Sequence, residues 1–176
     1  MQSGGAARSA DTAADAASDA EIVISMLDNG PVVNEVLFNQ GVAQAMQRGV
    51  SAGQAAASRS AQMGSASGGN AFNTLFIDMA SIKPREARDH ATRLRELGVA
   101  QLDAPVSGGT LGAEAGTLAI MAGGDAADFA RALPVLQVMG RATHVGAHGA
   151  GQVCKLANQL IVGVTIGAVA DRKSVV

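Results

Sequence analysis

The segment Asp103-Ala-Pro-Val-Ser-Gly-Gly109, which leads on to Gly116-Thr-Leu118, decides the fold. An apolar run ends there in a Gly-rich turn, which predicts a buried strand and a loop whose backbone N–H groups can bind an anion. About forty residues later, Gly149-Ala-Gly-Gln-Val-Cys-Lys-Leu-Ala-Asn158 predicts a turn that opens a helix. Lys155 and Asn158 are three residues apart and share one helix face. Together these motifs predict chemistry on a small carboxylate.

Composition narrows the class of protein. The 176 residues are 48% apolar and 16% charged, which is typical of a soluble globular protein with one complete core. A net charge of −2 gives no basic surface, so we expect no nucleic-acid partner. The single cysteine, Cys154, is typical of a reducing compartment. The first twenty residues form no apolar signal segment, and the apolar run Leu160–Ala170 is too short to span a bilayer. We therefore expect a cytoplasmic protein without a membrane partner.

Strands alternate with helices along the chain, which predicts an α/β fold with a mostly parallel sheet and helices on both faces. Short β-branched, apolar runs predict strands at Glu21–Leu27, Thr74–Met79, Val99–Pro105 and Leu118–Ala122. Helical composition or spacing predicts helices at Asp11–Ala20, Val32–Met46 and Lys83–Leu97, and two more that start at Asp125 and Gly149.

Four segments together resemble the β-hydroxyacid dehydrogenase family, which includes 3-hydroxyisobutyrate dehydrogenase, tartronate semialdehyde reductase and 6-phosphogluconate dehydrogenase. They are Ile22–Leu27, Ile77–Ile82, and the stretches 103–118 and 149–159. The resemblance implies a partial Rossmann-like, doubly wound sheet followed by the start of an all-α domain. It also implies NAD or NADP as cofactor, and hydride transfer between the nicotinamide and a small 3-hydroxy acid or its semialdehyde.

The resemblance also assigns roles by position. Lys155 matches the family's general acid/base, which takes or gives the proton of the substrate hydroxyl while hydride moves. Ser107, Gly108 and Gly109 match the turn that holds the substrate carboxylate, and Asn158 matches the family's substrate-binding asparagine. The cofactor contacts are assigned to Met26, Leu27 and Ser81. No metal site is predicted, because His144 and His148 are flanked by glycines that oppose a helix and lack an adjacent acidic or cysteine ligand.

The same resemblance divides the chain. Residues 1–148 are expected to form a partial dinucleotide-binding domain with a flexible insertion at 49–70, and 149–170 to begin a long interdomain helix. Residues 171–176 depart from the apolar helical pattern and are interpreted as a non-native tail. The family's Gly-x-Gly-x-x-Gly loop is absent from the sequence. We therefore expect a fragment that is inactive as it stands, from a parent protein that forms homo-oligomers.

Other interpretations of the same residues stay open. A lysine near a helix start is by default a solvated surface residue, and Ser-Gly-Gly is by default a tight turn. A non-catalytic binding module with the same fold would need neither Lys155 nor Asn158. An imine reductase is a third possibility, but those related enzymes usually carry another residue at the position of Lys155. The local chemistry of the site, and not the fold, therefore decides the function.

Overall fold

The structure, a computed structural model, describes residues 9–48 and 74–171. The predicted insertion at 49–70 and residues 172–176 lie outside the described residues. The strands are β1 (Ile22–Ser25), β2 (Thr74–Asp78), β3 (Val99–Asp103), β4 (Val106–Ser107), β5 (Leu118–Gly124) and β6 (Gly140–Gly146). The helices are α1 (Ala13–Ala17), α2 (Gly30–Asn34, continued by a π-helical turn at Glu35–Asn39), α3 (Pro84–Glu96), α4 (Gly109–Glu114), α5 (Ala126–Met139) and α6 (Ala150–Asp171), with a further helical stretch at 42–48.

Within residues 9–48 and 74–171, six strands form one mixed sheet. Strands β1, β2 and β3 lie side by side in parallel, which is the arrangement of one half of a doubly wound fold. Strand β5 pairs in parallel with β6 on one side and antiparallel with both β3 and β4 on the other. The predicted α/β class is confirmed, and three of the five strand pairings are parallel, as a mostly parallel sheet requires.

Two apolar layers cover the two faces of the sheet. Successive side chains of a strand point to opposite faces, so Phe76 of β2 packs in one layer while Leu75 and Ile77 pack in the other. The first layer also receives α1, α2 and α3, and the second receives α5 through Ala132 and Leu136. Because apolar layers cover both faces of the sheet, the central strands are continuous apolar runs in the sequence.

Most predicted elements are present. The single helix predicted over Val32–Met46 is interrupted at residues 40–41, where Gly41 has a φ of 81°. Two further differences concern the strands that pair with β5. Strand β6 was not predicted, because Gly140-Arg-Ala-Thr-His-Val-Gly146 mixes small, charged and polar residues and lacks a β-branched run. The tight turn predicted at Ser107–Gly109 is divided between the two-residue strand β4 and the start of α4. Pairing with the neighbouring strand β5 therefore overrides the weak local signals in both places.

Helix α6 is the longest element. Its first residues pack against the sheet, and Gly151 and Gln152 are buried, whereas the large apolar side chains from Leu160 to Val169 are exposed. The run 160–170 forms only the second half of this 22-residue helix, so the length of the run alone does not decide whether the helix could span a bilayer. By length and composition alone, that helix could cross a membrane.

Candidate active site

The site is built at the carboxyl ends of β1, β2 and β3. The last residues of these strands, Ser25, Asp78 and Asp103, are register partners across the sheet. Both carboxyl groups are fully buried. Ser25 Oγ and the backbone N–H of Ala80 both donate to Asp78 Oδ1, at 3.1 and 3.0 Å. In open parallel sheets this edge is where ligands bind.

Asp103 caps helix α6 from a distant part of the chain. The backbone N–H of Gly149 donates to Asp103 Oδ1 at 2.7 Å, and that of Gln152 donates to Oδ2 at 3.0 Å. The first N–H groups of a helix have no partner within the helix, so a buried carboxylate below them satisfies these donors and complements the helix dipole. The helix that carries Lys155 is thereby anchored to the end of β3.

Glycine is required where α6 meets the sheet. A Cβ atom at Gly151 would lie 2.3 Å from the carbonyl oxygen of Met121 and 2.5 Å from that of Asp103. A Cβ at Gly123 of β5 would lie 2.7 Å from the Gly151 nitrogen. The two backbones are therefore in direct contact, and no side chain fits between them.

The structure brings the two predicted motifs together. The Asn158 side-chain amide donates to Ser107 Oγ at 3.4 Å, across 51 residues of sequence. Gly108 and Gly109 follow with φ values of 136° and 62°, in the region that favours glycine. A Cβ at Gly108 would also come within 3.2 Å of Leu118 Cδ2. The turn predicted to hold the substrate carboxylate thus lies beside the α6 face predicted to hold its hydroxyl.

Lys155 lies on the same side of α6, half-buried, one turn before Gln159. Its Nζ donates to Gln159 Oε1 at 3.1 Å, and the Asn158 amide donates to the same oxygen at 3.3 Å. No carboxylate within the described residues forms an ion pair with Lys155. An ammonium without a carboxylate partner can donate a proton to, or as an amine accept one from, a substrate oxygen placed next to it.

The three predicted cofactor residues have different surroundings, and Ser81 alone of the three is among the residues that line the groove next to Lys155. Met26 follows β1 and is 66% exposed, whereas Leu27 packs against the first apolar layer. Ser81 is exposed in the loop after β2. Ser81 and Lys155 both line an open groove of about 790 Å³, together with Asn29 at the start of α2. The structure therefore places Ser81 and Lys155 on one surface, whereas Leu27 contributes its side chain to the core.

These residues fit the nicotinamide end of a dinucleotide and not its pyrophosphate. A groove of this volume, with a few polar groups on an apolar lining, suits a small ring system. The pyrophosphate is normally held by Gly-x-Gly-x-x-Gly at a helix start, and the sequence carries no such loop. Of the predicted cofactor residues, Ser81 thus lies on this groove, and the contacts of Met26 and Leu27 with a nicotinamide stay predictions.

Sequence reasoning missed Asp78, Asp103 and Gln152 as members of the site. A weak signal exists for the aspartates, since each one ends an apolar strand at the edge where ligands bind. A second signal lies in Gly149-Ala-Gly, which opens α6 without a Ser, Thr, Asp or Asn to cap it. A helix start without a local cap predicts a cap from elsewhere in the chain, although it does not say from where.

We expect Asp78→Asn to stabilise the chain at about pH 7.5 and to flatten the pH dependence of its stability. Burial raises the pKa of Asp78 from 3.8 to about 6, so between these values the folded chain binds more protons than the unfolded chain. The contribution of Asp78 is therefore fully present below about pH 4 and is lost as the pH rises through 6. The difference in pKa corresponds to about 3 kcal/mol, which the unpaired N–H of the new amide partly offsets.

Urea denaturation of both proteins at about pH 5 and pH 7.5 measures this effect. Asp19→Asn makes the same substitution at an exposed position with φ of 63°, which asparagine tolerates, and should change the free energy of unfolding by less than about 0.5 kcal/mol. Burial also raises the pKa of Asp103 to about 6, so part of the slope should persist in Asp78→Asn. Equal pH slopes for the wild type and Asp78→Asn would contradict the prediction.

The fold and the site define a class: a Rossmann-like domain whose ligand site lies at the carboxyl ends of parallel strands. Residues 1–149 match the family model for the NAD binding domain of 6-phosphogluconate dehydrogenase. The chain therefore belongs to this family, as the sequence resemblance predicted. The matched stretch ends where α6 begins, so Lys155 and Asn158 lie beyond it.

Similar proteins extend the comparison past that point. The chain is 38% identical over 165 residues to 2-hydroxy-3-oxopropionate reductase of Escherichia coli K12, which is 93% of this chain and 48% of that protein. The structure of the 3-hydroxyisobutyrate dehydrogenase of Mycobacterium tuberculosis with L-serine aligns with a TM-score of 0.73 and 36% identity, over 92% of this chain and 47% of that one. An imine reductase from Myxococcus stipitatus with NADP+ shares the fold at 22% identity and a TM-score of 0.67, over 91% and 48% of the two chains. The chain spans about half the length of the curated relatives it matches.

Proposed function

We propose that this chain forms part of an NAD(P)-dependent dehydrogenase that interconverts a small 3-hydroxy acid and its semialdehyde. The contact between Asn158 and Ser107 carries this proposal, because it unites a carboxylate-binding turn with the helix face that bears Lys155. Several similar proteins are named for hydroxy-acid substrates, among them the 3-hydroxyisobutyrate dehydrogenase of Pseudomonas aeruginosa at 38% identity. The family model is that of an NAD binding domain.

For oxidation of the hydroxy acid, the proposed role of each residue follows from its position in the site. Backbone N–H groups at Gly108 and Gly109, with the Ser107 hydroxyl, bind the substrate carboxylate and fix the substrate in place. Asn158 donates to the substrate hydroxyl oxygen and orients it towards Lys155. The Lys155 amine takes the O–H proton as the carbonyl forms, and the carbon-bound hydrogen leaves with its electron pair. Met26 and Ser81 would hold a nicotinamide, which when bound would supply the acceptor for that hydride.

The non-catalytic module and the imine reductase predict different results. A module would bind small carboxylates but transfer no hydride. An imine reductase would reduce a C=N bond and would have no need of an anion-binding turn next to its proton donor. The imine reductases from Myxococcus stipitatus with NAD+ and with NADP+ each match this chain at 22% identity, which supports the fold and not the activity.

The deciding assay measures the change in nicotinamide absorbance. It uses the protein expressed from the complete coding sequence of the source gene, which we term the gene-encoded protein. Substrates are 3-hydroxyisobutyrate and L-serine with NAD+ or NADP+, and a cyclic imine with the reduced cofactors. Turnover of a hydroxy acid supports the proposal, and turnover of the imine alone overturns it. The 176-residue chain is assayed in parallel, and we expect no turnover because its sequence carries no pyrophosphate loop.

A further inference from the structure

Gln152 connects three parts of the candidate site, namely α6, the loop that carries Ser81 and the end of β3. It is 1% exposed and lies in the first turn of α6, three residues before Lys155. Gln152 Oε1 accepts the backbone N–H of Ile82 at 3.0 Å, and Nε2 donates to the carbonyl oxygen of Ala80 at 2.8 Å. The side chain therefore bonds the residue on either side of Ser81.

The backbone of Gln152 is also held in place, by a hydrogen bond to Asp103. The backbone N–H of Gln152 donates to Asp103 Oδ2 at 3.0 Å, which ties it to the end of β3. The loop that it holds is itself tied to β2, because the Ala80 N–H donates to Asp78 Oδ1. Both the oxygen and the nitrogen of the amide are bonded in a buried place, so a replacement keeps both bonds only if it offers an acceptor and a donor in the same geometry.

We infer that Gln152 is a positioning residue that holds the Ser81 loop at a fixed distance from Lys155 on α6. This inference rests on the proposed function, because the distance matters for catalysis only if Ser81 faces a cofactor and Lys155 faces the substrate. Proton and hydride leave neighbouring atoms of one substrate, so the groups that receive them must be placed to within a fraction of an ångström. A side chain that bonds the loop from within the catalytic helix sets that placement directly.

Two variants distinguish the effect of the two Gln152 hydrogen bonds from the effect of the side-chain volume. Gln152→Met keeps the approximate length and removes both hydrogen bonds. Gln152→Glu keeps the shape and the acceptor for Ile82 N–H, but an ionised carboxylate cannot donate to the Ala80 carbonyl. Leu136→Ala, in the apolar layer under α5, controls for general destabilisation, since it removes a fully buried side chain away from the loop.

The first measurement is independent of catalysis. Hydrogen exchange of the Ile82 amide in the 176-residue chain should be at least about tenfold faster in Gln152→Met than in the wild type, because the amide has lost its acceptor. It should be near the wild-type rate in Gln152→Glu. Unchanged exchange of this amide in Gln152→Met would overturn the inference, whatever the activity of the protein.

The second measurement uses the kinetics of the gene-encoded protein. For Gln152→Met we expect kcat to fall about 30-fold and the cofactor KM to rise about tenfold, while the hydroxy-acid KM stays within about twofold. A purely structural defect, as in Leu136→Ala, would reduce the active fraction and leave both KM values unchanged. A Gln152→Met enzyme that behaves like Leu136→Ala would overturn the inference. Wild-type protein that shows normal Ile82 protection but no hydride transfer would instead refute the proposed function.

Discussion

Gly151→Ala is expected to lower the free energy of unfolding by about 4 kcal/mol, the largest effect on stability that we predict. The added methyl group would lie 2.3 to 2.8 Å from two carbonyl oxygens and from Asp103 Oδ2, all in backbone or buried groups that cannot move aside. Helix α6 would have to shift away from β5, and the bonds from Gly149 and Gln152 to Asp103 would lengthen with it. The chain would lose the anchoring of the helix that carries Lys155.

Gly163→Ala is the matched control, because it makes the same substitution in the same helix. A Cβ at Gly163 would meet no atom within 4 Å, so the gain in helix propensity should raise stability by up to about 1 kcal/mol. Urea denaturation followed by circular dichroism measures both variants. The explanation by backbone contact fails if the two substitutions change the midpoint equally or in the same direction.

Lys155→Met is expected to reduce kcat/KM of the gene-encoded protein by about a thousandfold. Methionine preserves the length and the apolar part of the side chain but can neither give nor take a proton. Loss of one general acid/base typically costs a factor between about a hundred and ten thousand. Because the turn at Ser107–Gly109, which we propose binds the carboxylate, is separate from Lys155, the hydroxy-acid KM should change much less than kcat.

Arg85→Met, at the exposed start of α3, removes a cation of similar size that does not line the groove, and it should change kcat/KM by less than about twofold. The wild type, Lys155→Met and Arg85→Met are compared by their steady-state rates of nicotinamide reduction. Thermal denaturation checks that all three proteins are folded. If Lys155→Met keeps more than a tenth of the wild-type kcat/KM, Lys155 is not the general acid/base.

The elements that the sequence predicted well are those in which local pattern and tertiary environment agree. Strand β2 is apolar and β-branched because both faces of the sheet are covered, and α3 begins at Pro84 and ends before Gly98, as proline and glycine predict. Ser107 and Asn158, each predicted from its own motif to bind the substrate, lie in contact in the structure. Neither motif alone would have predicted that contact.

The parts that could not be predicted depend on residues far apart in sequence. Nothing near Gln152 indicates that its amide bonds Ala80 and Ile82, about seventy residues earlier. The cap of α6 by Asp103 and the pairing of β6 with β5 likewise arise only when the sheet has formed. Local propensity describes which segments become helices and strands, whereas the site is made by contacts between them.

The contact of α6 with the sheet at Gly151 has a mechanical consequence. The helix rises about 1.5 Å per residue, so Lys155 lies about 6 Å from this contact and Asp171 about 30 Å. If the helix tilts as a rigid rod about Gly151, a displacement of about 5 Å at Asp171 moves Lys155 by only about 1 Å. Because this contact lies so close to Lys155, only about a fifth of any such displacement of the exposed end of the helix reaches the lysine.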